Sequence, residues 1–138
     1  MASGAIVRHW WHVIGFILIG GVLAACGGST PPAPPSLTAG DNGRDVTLQV
    51  GAELVLTLEG NPTTGYRWEV EQVDAAVLAS QGEPEYIAAA NIPGSGGVFV
   101  FRFTAQAAGS TPLVLGYSRP FEPDTPPIEV FTVQITVE

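Results

Sequence analysis

The chain has no lysine, and its 138 residues include a single cysteine, a single methionine and two histidines. A lone cysteine cannot close a disulfide within the chain, so no disulfide framework holds the fold. Both histidines, His9 and His12, lie ahead of an apolar N-terminal run. Beyond them no Cys–His or Ser–His–Asp arrangement can be built, nor a zinc site of the usual His and Cys kind. Without lysine there is no glycine-rich phosphate loop of the kind that ends in Lys. Positive charge is scarce as well: 5 arginines face 13 acids, for a net charge of −8. Such a surface repels phosphate backbones, so nucleic acid is not an expected partner. Carboxylate chemistry survives these exclusions, but the acids are spread along strand faces and turns, as on a solvated surface. The expectation is a binding protein without catalytic residues, metal or cofactor.

What is present begins with an address. Met1 to Trp11 carry Arg8, His9 and no acid, and Val13 to Ala25 are apolar or glycine. That run is shorter than the roughly 20 residues a bilayer-spanning helix needs, and fits a signal-peptide core. It ends in Leu23-Ala24-Ala25-Cys26, which looks like a bacterial lipobox. Residues 1–25 are therefore expected to be a lipoprotein signal, and Cys26 to take a lipid that holds the protein to a membrane of the bacterial cell envelope, on the periplasmic or outer side. An ordinary secretory signal is one alternative. An uncleaved anchor, with Trp10 and Trp11 near the interface, is another.

Residues 26–43 then read as the lipidated cysteine and a tether, since Gly27 to Gly43 hold Gly, Ser, Thr and Pro with little to bury. Its prolines favour an extended chain of about 3.1 Å per residue.

From Arg44 the pattern changes to alternation. Val46, Leu48 and Val50 share one face; so do Leu54, Leu56 and Leu58; Tyr66, Trp68 and Val70; Phe99, Phe101 and Phe103; Leu113, Leu115 and Tyr117; and Phe131, Val133, Ile135 and Val137. A period of two with one apolar face marks antiparallel sheets with a solvated outside. Val73 to Ser80 reads equally as a short helix or a strand, and Glu83 to Ala88 as a strand. The expected fold is all-β, an Ig-like antiparallel β-sandwich of about seven strands over residues 44–138, preceded by the signal and a disordered linker. A monomer is expected.

Three connections stand out. Asn61-Pro62-Thr63-Thr64-Gly65-Tyr66 has the residues of a turn, but turn chemistry does not require two threonines at its tip. The reading is two small hydroxyls presented on a stiffened loop; the plainer alternative is a hairpin turn. Gly94-Ser95-Gly96-Gly97 is either a flexible tip or a place where backbone approaches a partner closely. In Arg119-Pro120-Phe121 the ring lies outside the alternation, held among prolines. It is a contact candidate, or else it folds back onto the core. Counting strands puts the three loops after alternate strands, hence at one end of a sandwich.

Together and in this order, the three segments resemble the NPTTGY/F, GxGG and RPW/F loops of chagasin-like inhibitors of papain-type cysteine proteases. The resemblance spans Arg44 to Glu138; no family pattern covers Gln72 to Ala90, and Phe121 stands where many members have Trp. It implies reversible, non-covalent, tight-binding inhibition of a papain-family protease as partner. Thr63 and Thr64 would meet the enzyme's Cys–His centre, Gly94–Gly97 would pair its backbone along the cleft, and Arg119 and Phe121 would rest on the far side. The rival reading is a lipid-anchored Ig-like adhesion or interaction module without inhibitory activity.

Overall fold

The computed structural model describes Gly28 and residues 31–138. The expected signal and Cys26 lie outside the described residues, as does part of the tether. Residues Pro32–Glu138 form one unit with its own core.

Nine strands are present among the described residues: β1 (Ser36–Thr38), β2 (Asp45–Leu48), β3 (Glu53–Gly60), β4 (Arg67–Gln72), β5 (Leu78–Ser80), β6 (Glu85–Ala88), β7 (Gly97–Ala105), β8 (Gly109–Ser118) and β9 (Glu129–Val137). They make two sheets. One runs β1-β3-β7-β5, with β6 also on the free side of β7; the other runs β2-β9-β8-β4. The alternating residues point between them. Leu54, Leu56 and Leu58 sit opposite Phe103, Phe101 and Phe99 in the first sheet. Leu113 and Leu115 sit opposite Val133 and Phe131 in the second. All of these are buried, and burying one such side chain contributes about 1.5–3 kcal/mol.

The structure departs from the sequence reading in four places. The first concerns the sheets, which are mixed: β1 pairs with β3, and β2 with β9, in parallel. Secondly, the fold begins ahead of residue 44, because Leu37 in β1 is buried in the core and the Val55 N–H donates to the Pro35 carbonyl at 3.0 Å. In the third, Val73 to Ser80 is neither a helix nor one strand. Asp74 closes a turn by accepting from Val77 and Leu78 at its carbonyl, at 3.0 and 2.8 Å, and β5 follows. Finally, Val50 and Val70 are exposed rather than inward. β2 stops at Leu48, leaving Val50 in a turn, and β4 has a register shift between Val70 and Gln72.

Direction along the strands fixes what lies at each end. β3 finishes at Gly60 opposite the start of β7 at Gly97. β4 starts at Arg67 opposite the end of β8 at Ser118, and Tyr117 faces the start of β9 at Glu129. The β3–β4, β6–β7 and β8–β9 connections therefore share one end. At the other end lie the β2–β3 and β7–β8 turns and the start of β1, where Ser36 pairs with Val55.

Candidate functional site

The first of the three connections is a single 3-10 turn, Pro62–Thr64, capped by Asn61. Proline at the first helical position suits such a turn because its missing N–H would be unpaired anyway. Asn61 holds the turn with its side-chain oxygen and its backbone carbonyl. Its Oδ1 accepts from the Thr63 N–H at 3.1 Å and from the Thr63 hydroxyl at 2.6 Å. Its backbone carbonyl accepts from the Thr64 hydroxyl at 2.6 Å and the Thr64 N–H at 3.2 Å. Both hydroxyls thus donate to Asn61 within the stiffened loop. Thr63 and Thr64 remain exposed, as does Pro62, and what the tip presents is methyl groups and hydroxyl lone pairs.

Asn61 also reaches the second connection, donating from Nδ2 to the Gly94 carbonyl at 3.1 Å. Gly94 and Ser95 are exposed, while Gly96 and Gly97 are half-buried. The glycines here answer to internal constraints. Gly96 has φ 71°, in the region that side chains disfavour. A Cβ on Gly97 would collide with the Ile87 carbonyl oxygen as β6 crosses beside it. Ser95 ties the loop to itself, its hydroxyl 2.9 Å from the Ala90 carbonyl.

The third connection is tied to the first by stacking. The Arg119 guanidinium lies over the Tyr66 ring, 4.4 Å from its centroid, and 6.0 Å from that of Phe121. A cation over an aromatic face is attracted by the ring's quadrupole, by about 0.5–1 kcal/mol where water can reach it. Arg119 Nη1 also sits 3.3 Å from Glu122 Oε1. Tyr66 continues inward to Tyr117 (centroids 5.4 Å apart) and Tyr117 to Trp68 (5.1 Å). A column of rings therefore runs from the core to the tip. Phe121 crosses Gly65: a Cβ there would come within 3.0 Å of two ring atoms, and Gly65 has φ 84°. Yet Phe121 is 68% exposed, so it does not fold back onto the core. Pro120 beside it is exposed too.

All thirteen predicted loop residues therefore lie on one continuous surface, in the order second loop, first loop, third loop. A hollow of about 370 Å³ opens between Pro62, Gly65, Tyr66, Pro120 and Phe121. Another, of about 350 Å³, opens between Thr63 and the 90–96 segment. That second hollow brings in residues that sequence reasoning passed over. Ile92 is 68% exposed, as much as Phe121, with Pro93 beside it. The signal was available: Ile92, like Phe121, is a large apolar residue outside any alternation and next to a proline.

Residues 47–135 match the pattern of the Chagasin family peptidase inhibitor I42. This chain belongs to the chagasin family. Amoebiasin-1 of Entamoeba histolytica is 32% identical over 106 residues, which cover 75% of this chain and 99% of the relative. The crystal structure of the cysteine protease inhibitor EhICP2, also from Entamoeba histolytica, superposes with a TM-score of 0.65 at 21% identity, covering 75% of this chain and 94% of that one. It shares the fold. So does PbICP-C, whose structure was solved in complex with falcipain-2 (TM-score 0.58, 20% identity, 75% and 99% covered). A member of this family is a cysteine protease inhibitor and not an enzyme, so the end of the sandwich where the three loops meet is the site to test.

Proposed function

We propose that this chain inhibits papain-type cysteine proteases reversibly and without a covalent bond, by seating its three loops together in the active-site cleft. The observation that carries this reading is the shared end: the threonine tip, the glycine loop and the Phe121 loop are bonded or stacked to one another, not merely near. Thr63 and Thr64 would occupy the space before the enzyme's thiol. Their donors are already used by Asn61, so they offer the enzyme a blunt surface rather than an aligned scissile peptide. The glycine loop, with Gly94 and Ser95 exposed, would lie along the cleft and pair its backbone as an extended substrate does. Phe121, with Arg119 stacked behind it, would cover apolar surface on the other side.

Stiffness supports the affinity. Loops ordered before docking lose little entropy when they bind, and a ring such as Phe121 adds about 1.5–3 kcal/mol if fully buried, one to two decades in Kd. The test is a titration of papain-family enzymes against a fluorogenic peptide. Inhibition should be stoichiometric at high enzyme concentration and should reverse on dilution. Full residual activity across the panel would overturn the reading and leave the adhesion module in its place.

We infer separately that Cys26 carries a lipid and places the protein in a bacterial envelope. Leu23-Ala24-Ala25-Cys26 after an apolar run supports this. Mass spectrometry of membrane-extracted protein tests it, and an unmodified Cys26 thiol would remove it.

A further inference from the structure

Asn61 uses its side chain and its carbonyl inside the first and second loops, but its backbone N–H points elsewhere. That N–H donates to the Tyr117 hydroxyl at 2.8 Å. Tyr117 belongs to β8, the strand that leads directly into Arg119 and Phe121. Its ring is buried, stacked between Tyr66 and Trp68. The hydroxyl therefore lies where the three loops meet. On one side is Asn61, which holds both threonines and the Gly94 carbonyl. On the other is the column that ends in Arg119 over Tyr66.

We propose that the Tyr117 hydroxyl is a positioning residue for inhibition. By fixing the Asn61 N–H it sets the angle at which the threonine tip leaves β3, and through Asn61 it sets the seat of the glycine loop. This rests on the inhibitor reading above. Tyr117 is only 8% exposed, so its contribution passes through Asn61. A part-buried backbone N–H left without its acceptor is a drive for the tip to rearrange toward water.

The test is Tyr117→Phe in the full chain, kept in detergent solution. The substitution keeps the ring, and hence the stacking, and removes only the hydroxyl. Hydrogen exchange read by mass spectrometry should quicken about tenfold in peptides spanning residues 61–65, while peptides from β7 and β9 keep the parent rates. Dissociation from papain should quicken about three- to tenfold, with the association rate changed less than twofold. Ile135→Val serves as the control for general loosening: it should speed exchange across both sheets and leave dissociation as it was. The proposal is overturned if exchange at 61–65 stays within twofold of the parent, or if it rises by the same factor in β7 and β9. A parent chain that leaves papain untouched would instead overturn the inhibitor reading, and with it the link to inhibition. The exchange comparison needs no protease and would still decide whether the hydroxyl orders the tip.

Discussion

The two ends of this sandwich are closed by different means. At the end with the β2–β3 and β7–β8 turns, backbone does the work: Ala52 N–H to the Gln49 carbonyl at 2.9 Å, Gly51 N–H to the Ala105 carbonyl at 2.8 Å, and Ala105 N–H back to the Ala52 carbonyl at 2.9 Å. At the other end the connections are longer and side chains hold them. Asn61 spans two loops, Tyr117 anchors Asn61, and Arg119 spans two rings. The first arrangement rests on main-chain bonds and leaves one large apolar side chain, Val50, in water at 53% exposed. The second demands particular residues and leaves Phe121 and Ile92 in water, each 68% exposed. A sheet end whose short turns are closed mainly by backbone is a closure. One built from side chains around exposed apolar groups is a surface made to meet something.

That contrast can be broken from either side. The largest effect is expected in the core, which belongs to neither end. Phe103→Ala removes a fully buried ring and should lower stability by about 3–5 kcal/mol in denaturant unfolding, while inhibition per folded molecule stays at the parent level. Weaker inhibition in the fraction that remains folded would mean that the loops are not mechanically independent of the central layers. Next comes Thr63→Arg. A long charged chain at the exposed tip should weaken papain inhibition by about two orders of magnitude, with the melting temperature little changed. An unaltered inhibition constant would take the first loop out of the cleft.

Phe121→Ala should cost about 1.5–3 kcal/mol of binding, read as a dissociation rate ten- to a hundredfold faster with association nearly constant. If dissociation is unchanged, the third loop is a bystander. The smallest effect lies away from both ends, beside β1. The Thr38 backbone N–H, and then the Arg44 side chain, hydrogen-bond to Asp41 and hold its carboxyl below its ordinary range. A carboxylate whose folded pKa is depressed stabilises the fold above its unfolded pKa, and that contribution fades as pH falls through the folded value. Asp41 is only partly buried and within reach of solvent screening, so the effect should be slight. It is readable as a titration of the Thr38 amide resonance whose midpoint lies below that of an unstructured aspartate; a midpoint at the unstructured value would remove the interaction.

Much of this was legible in the sequence, for definable reasons. Leu54, Leu56 and Leu58, or Phe99, Phe101 and Phe103, declare a buried face because a strand alternates and nothing else does so as cleanly. Alternation names the face but not the neighbour, so the parallel pairings of β1 and β2 were invisible. β1 was missed because three residues with one buried leucine show no period, and they sit among prolines and threonines that read as tether. The extra strand β5 could have upset the placing of the loops, which depended on strand parity. It did not, because β5 and β6 both run antiparallel to β7 and act as one interrupted strand. In the site, the three motifs were readable as motifs. The bonds among them were not: whether Asn61 holds Thr63 or faces a partner depends on which atoms fold within 3 Å, and spacing along the chain does not carry that.

The direction of β1 has a practical outcome. Because it runs parallel to β3 and begins beside Val55, the polypeptide joins the sandwich at its base. A bead or display scaffold coupled directly at Ser36 would hold the sandwich by its foot, opposite the crown of loops.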